Sequence, residues 1–142
     1  MNILLPIDLI DAAREERAVV EALKQAKAFA GEIHIISVIP EFNSHLFRNF
    51  YDESVGKEAL QLTKAKMTAF CESHLPEDAP YTTHIAQGNI YKEILNKAEE
   101  IGADLIVMSA SRPELADYLL GPNTAKVVRH ARQSVLVVRA EG

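Results

Sequence analysis

Two short stretches of the chain are suited to holding a small ligand. The first centres on Asp8, one residue past the apolar run Ile3-Leu4-Leu5-Pro6-Ile7. A carboxylate there can accept hydrogen bonds from a ribose or a base; it can equally act as a turn or capping aspartate. The second is Gly121-Pro122-Asn123-Thr124, just ahead of a helical pattern. Free backbone N–H groups at a helix start attract anions. The same residues also fit a simpler role, a turn glycine followed by a first-turn proline. Residue types alone leave both readings open at each stretch.

Other chemistry-bearing residues point less far. Cys71 and His74 lie three apart on a predicted helix, on neighbouring faces. Structural zinc takes four ligands, so Cys71 reads as a small buried hydrophobe and no metal site is predicted. His34, His45, His84 and His130 show neither H-E-x-x-H nor triad spacing. His130, between Arg129 and Arg132, either complements a helix C-terminus or contacts phosphate. No G-x-G-x-x-G follows a strand and no G-x-x-x-x-G-K-[ST] is present, which removes the dinucleotide fingerprint and the P-loop. A receiver domain phosphorylated on aspartate needs an acid near the end of the third strand, where this chain has Ala86-Gln87-Gly88. No catalytic residue is assigned.

The elements that must position these residues follow from hydrophobic spacing. Ile3 to Ile7, Ile33 to Ile39, Asp104 to Met108 and Ser134 to Arg139 are short, near-continuous apolar runs and read as buried strands. Tyr81 to Ile85 is less apolar and reads as an edge strand. Helical spacing covers Ala12 to Ala30, with Asp11 as N-cap and Gly31 as stop, and Val55 to about His74. It resumes after the N-cap Asn89 through Ile101, ending at Gly102, and from Asn123 to about Arg132. Residues 40–53 carry Phe42, Phe47, Phe50 and Tyr51 without a firm period and read as a long loop, either a lid or a packed connection. The alternation β-α-β-α-β-α-β-α-β argues a parallel sheet with helices on both faces. Ligands in such folds bind beyond the carboxyl ends of the strands, where strand order reverses. Those ends hold Pro6, Asp8 and Leu9, Val38 to Pro40, Met108 to Arg112, and Gly121 to Thr124.

Bulk properties set the outer limits. The 142 residues suit one domain spanning 1–142. Apolar residues make up 48% and charged ones 25%, as in an ordinary globular chain. A net charge of −5 and a pI near 5.5 disfavour general nucleic-acid binding. One cysteine fits a reducing compartment. The first residues lack a basic leader, and no run reaches the ~18 apolar residues of a membrane span. The expectation is a cytoplasmic protein without membrane or nucleic-acid partners.

The segment Tyr118-Leu119-Leu120-Gly121-Pro122-Asn123-Thr124-Ala125-Lys126-Val127-Val128-Arg129-His130-Ala131, followed by Ser134-Val135-Leu136-Val137-Val138-Arg139, resembles the closing segment of universal stress proteins. Ile3-Leu4-Leu5-Pro6-Ile7-Asp8 resembles their first strand, and Asp104-Leu105-Ile106-Val107-Met108 their fourth. The resemblance implies an open five-stranded parallel sheet of order 3-2-1-4-5, of the adenine nucleotide alpha hydrolase-like type. It implies a pocket for ATP or another adenine nucleotide, with or without Mg2+. Pro6, Ile7, Asp8, Val38 and Met108 would line the adenosine part, with Asp8 facing ribose or base. Ser109, Ser111, Arg112, Gly121, Pro122, Asn123 and Thr124 would surround the phosphates.

Nucleotide-binding members carry G-x2-G-x9-G-[ST] after the fourth strand. Here Gly121 matches the last glycine, the first two are absent, and Pro122 replaces Ser or Thr, removing a hydroxyl and an N–H. The loop Ser109-Ala110-Ser111-Arg112-Pro113 resembles the S-x-R-P variant of one branch, in which Arg112 could supply charge to phosphate. The resemblance also implies a homodimer through strand Ser134–Arg139.

The expected function is a nucleotide-binding stress-response module with at most slow hydrolysis or autophosphorylation, acting on protein partners not named by the sequence. The alternative is a nucleotide-free universal stress protein working as a dimeric interaction or chaperone-like protein. A true ATP-consuming enzyme would need an S-G-G-x-D-S loop after the first strand, and Asp8-Leu9-Ile10-Asp11 is not one.

Overall fold

The computed structural model describes residues 1–40, 53–110 and 121–139. Along the chain run β1 (Asn2–Pro6), a 3-10 helix (Leu9–Glu15), α1 (Glu16–Phe29), β2 (Glu32–Pro40), α2 (Glu53–His74), β3 (Tyr81–Gly88), α3 (Ile90–Ile101), β4 (Leu105–Ser109), α4 (Pro122–His130) and β5 (Ser134–Val138). The aromatic stretch around Phe42, Phe47, Phe50 and Tyr51 lies outside the described residues, as do Ser111 and Arg112.

The five strands form one parallel sheet in the order β3-β2-β1-β4-β5. Strand periodicity splits its side chains between two cores. Ile3, Leu5, Ile33, Ile35 and Val107 pack with Ala18, Val19, Ala22, Met67, Phe70 and Cys71 of α1 and α2. Leu4, Ile36, Ile106 and Met108 pack with Ile94, Ala98 and Val127 of α3 and α4. Both faces are covered, which is why β1, β2 and β4 read as unbroken apolar runs. β3, with Tyr81, Thr82 and Thr83 exposed, is an edge strand as its composition suggests.

Local signals hold at most boundaries. Asn89 caps α3 by accepting from the Lys92 amide, and Gly102 ends it in the left-handed conformation. Pro122 takes the first helical position of α4. The start of the first helical segment differs from expectation. Asp11 is not its N-cap: its backbone is non-helical (φ −124°, ψ 56°) and its carboxylate pairs with Arg14 at 2.7 Å. Asp8 caps instead, its Oδ1 accepting from the Ile10 amide at 2.9 Å, and a 3-10 segment precedes α1. Gly31 is not the cap either. Ala30 adopts the left-handed position, and Gly31 is needed for close approach: a Cβ there would lie 2.9 Å from the Met1 carbonyl oxygen.

Candidate functional site

β1 and β4 form a fork. At their amino ends they are clasped by Asn2 and Asp104: the Asn2 amide donates to Asp104 Oδ2 and the Asp104 amide to the Asn2 carbonyl, both at 2.8 Å. Their register covers Ile3↔Leu105 and Leu4↔Ile106, whereas β1 stays beside β2 through Pro6↔Ile36. This is where strand order reverses, the place at which open α/β sheets bind ligands. A cavity of about 430 Å3 occupies it, within the size range of small-molecule sites.

The apolar lining comes from Pro6 and Ile7 of the β1 end, Ile36 and Val38 of β2, Ile90 and Ile94 of α3, and Met108 of β4. Ile10 and Leu62, both well exposed, add apolar surface to the lining. The polar lining comes from Asp8, Asp11, Arg14 and Glu15 after β1, Ser37, Lys66 of α2, Ser109 of β4, and Asn123 and Thr124 of α4.

The residues expected at the site divide into three groups. Pro6, Ile7, Asp8, Val38, Met108, Ser109, Asn123 and Thr124 are brought together around the cavity. Gly121 and Pro122 are not among its lining residues. Gly121 is buried with φ 75° and ψ 164°, a conformation open to glycine, and it sets the angle at which α4 begins. Ser111 and Arg112 lie outside the described residues.

The first turn of α4 contributes Asn123 and Thr124 to the lining, and the helix has no side-chain cap. Pro122 has no N–H, and the helix's first internal bond runs from the Ala125 amide to the Gly121 carbonyl at 3.0 Å. The Asn123 and Thr124 amides precede that bond and form the anion-attracting end of the helix. The Thr124 hydroxyl is already committed, donating to the Ser109 carbonyl at 3.2 Å. It fastens α4 to β4.

Sequence reasoning missed Glu15. The residue is 7% exposed, and its Oε2 accepts from the Ser109 hydroxyl at 3.2 Å. Burial pushes its carboxyl up from the ordinary 4.5 to about 7; the negative charges of Asp8 and Asp11 add to this, while the Ser109 hydroxyl and the Asp8 amide oppose it. A signal for Glu15 existed. It stands three after Ala12 and four before Val19, on the apolar stripe of the helical pattern, although Arg14-Glu15-Glu16-Arg17 reads as a solvated charge run.

A second polar cluster was also missed. His34 of β2 and His84 of β3 lie 50 residues apart, and adjacent strands bring Nδ1 of the first within 3.0 Å of Nε2 of the second. The rings stack, and neither lines the cavity. His84 is held below the ordinary imidazole range by burial first, then by the positive charge of Lys97 and by His34, with Glu100 opposing.

With this geometry in view, comparison with known proteins decides the family. The model of the Universal stress protein family matches residues 1–139. The chain belongs to the universal stress protein family. Universal stress protein G of Escherichia coli O157:H7 is 33% identical over 140 residues, covering 97% of this chain and 98% of the relative. The solved structure of universal stress protein UspA from Lactobacillus plantarum is 25% identical, with a TM-score of 0.75, covering 98% of this chain and 97% of that one. The universal stress protein from Archaeoglobus fulgidus in complex with dAMP is 18% identical, with a TM-score of 0.62 and 96% of each chain covered. At that identity the likeness is one of fold. The five-stranded order found here is the universal stress protein architecture, of the adenine nucleotide alpha hydrolase-like type. Among the described residues, no helix is long and apolar enough to cross a membrane.

Proposed function

We propose that this universal stress protein binds an adenine nucleotide in the fork between β1 and β4 and acts as a regulatory or interaction module. The observation that carries the reading is the cavity itself. Its lining combines apolar side chains from β1, β2, α3 and β4 with Asp8 and with Asn123 and Thr124 of the first turn of α4. Val38 and Met108 pack on the base. The exposed Asp8, which keeps one oxygen on the Ile10 amide, turns its remaining acceptor capacity to the ribose. The phosphate end falls to Ser109 and to the Asn123 and Thr124 amides, with Lys66 and Arg14 as the cations of the lining. The S-x-R-P likeness of residues 109–113 adds Ser111 and Arg112 to this reading.

Among the described residues, no three His, Cys, Asp or Glu side chains converge as a metal-ligand set. Mg2+ would therefore enter with the phosphates. In this reading hydrolysis or autophosphorylation is at most slow; the described lining does bring a carboxyl to a hydroxyl, Glu15 accepting from Ser109 at 3.2 Å. A homodimer through the edge strand β5, in the cytoplasm, completes the proposal.

A second reading, a nucleotide-free interaction protein, draws support from the three carboxylates Asp8, Asp11 and Glu15 in the same lining. Calorimetry with ATP, ADP and AMP separates the two. Wild type binds at least one of them with a Kd in the micromolar range, and Asp8→Ala weakens binding about tenfold or more, as expected for a lost ribose or base contact. Absence of heat with all three nucleotides overturns the nucleotide reading.

A further inference from the structure

The proposed site contains an acid that nucleotide binding does not call for. Glu15 sits on the cavity wall with almost no exposure, bonded through its Oε2 to the hydroxyl of Ser109. The carbonyl of the same Ser109 accepts from Thr124 in the first turn of α4. Glu15 is thus two hydrogen bonds from the helix end that would receive a phosphate. A buried ionised carboxylate repels a phosphate bound beside it, and its burial reduces the screening by water. A protonated carboxyl there carries no charge and gains an O–H donor that a phosphate oxygen can accept.

Glu15 differs from the other acids of the lining in its surroundings. Asp11, from the same segment, is paired with Arg14 at 2.7 Å. Asp8 is exposed and bonded to the Ile10 amide. From the packed elements, α2 presents Lys66, β2 presents Ser37, β4 presents Ser109, and α4 presents Asn123 and Thr124. Lys66 is the one titratable group among these. Burial, with the nearby Asp8 and Asp11 charges, places the Glu15 titration at about 7, so the proton is available under ordinary conditions.

We infer that Glu15 couples the binding of a phosphorylated ligand in this cavity to the uptake of one proton, so that pH discriminates a nucleotide from its neutral nucleoside. The inference rests on the adenine-nucleotide reading of the site and adds its regulation. Alkaline conditions release the phosphorylated ligand; mildly acid conditions retain it. No bond beyond the O–H of Glu15 is made or broken, and the proton comes from solvent.

The test is calorimetry with adenosine and with AMP between pH 6 and 8.5, in buffers of differing ionisation enthalpy, on wild type and Glu15→Gln. AMP affinity for wild type is expected to fall towards about tenfold per pH unit above Glu15's titration, with net proton uptake. Adenosine affinity stays level. In Glu15→Gln the AMP profile keeps the small change due to the phosphate's own titration near 6 and loses the rest. Equal proton uptake on AMP binding in wild type and variant overturns the inference while leaving the nucleotide site intact. Failure of both adenosine and AMP to bind overturns the site reading and this inference with it. The buffer dependence of wild type alone is decisive even if the variant misfolds: AMP binding at pH 8 without proton uptake refutes the coupling.

Discussion

Glu15 at the carboxyl end of the sheet and half-buried His84 on its outer edge are both titratable side chains, and burial acts on them in opposite directions. It raises the acid and lowers the base, so both are held towards their neutral forms. Their surroundings differ. His84 meets His34 at 3.0 Å, an interaction in which one ring must offer a lone pair, and neither ring lines the cavity. Glu15 faces a cavity large enough for a ligand. The contrast teaches that a displaced titration marks the surroundings of a group, burial first, and that access to a cavity is what gives it a functional consequence.

The largest effect expected from this comparison is on stability. The Glu15 titration lies at about 7 in the folded chain against the ordinary 4.5. The folded state therefore holds the extra proton between those values. The contribution of Glu15 to stability is full below 4.5 and is lost as pH rises through 7. The span corresponds to about 3 kcal/mol. Urea unfolding at pH 5 and pH 8 should show wild type losing up to that amount relative to Glu15→Gln. Parallel pH profiles for the two proteins would erase the distinction between Glu15 and an ordinary surface acid.

A smaller effect sharpens the account of the cavity wall. The Ser109 hydroxyl opposes the rise in Glu15's titration. Ser109→Ala should move that titration further upward, as followed by carbon NMR of the Glu15 carboxyl. A downward move would mean that the hydroxyl acts as acceptor to a protonated Glu15.

The smallest effect lies at the His pair. His84 is depressed below 6.5, so its contribution is present above 6.5 and is lost as pH falls through its folded-state titration. His84→Gln should flatten the acid limb of the stability profile. Lys97→Met should raise the His84 titration in proton NMR by removing a like charge. Neither change should alter the pH dependence of AMP binding. An altered dependence would join the two ends of the sheet into one device and break the comparison.

Much of the fold was legible because its signals are local. Near-continuous apolar runs at β1, β2 and β4 require a sheet buried on both faces, and Asn89, Gly102 and Pro122 mark helix ends through backbone chemistry that neighbours a few residues away can satisfy. Asp8 was legible as a residue beyond a strand end. Its capping of the 3-10 segment was not, because Asp8 and Asp11 are equally good caps by type, and the choice depends on where the chain turns after β1. Strand order came through the family resemblance, and the structure bears it out.

By itself, then, the sequence determined the alternation of strands and helices, the two-faced burial of the central strands and the presence of Asp8 and the α4 start at the same end of the sheet. Tertiary structure alone decided that β1 and β4 part beyond Leu4 and Ile106, that Glu15 is buried beside Ser109 from 94 positions away, and that His34 meets His84 across a strand boundary. The physical reason is that apolar periodicity records which face of an element is dry. The field felt by a buried charge depends on groups that only the completed packing brings near.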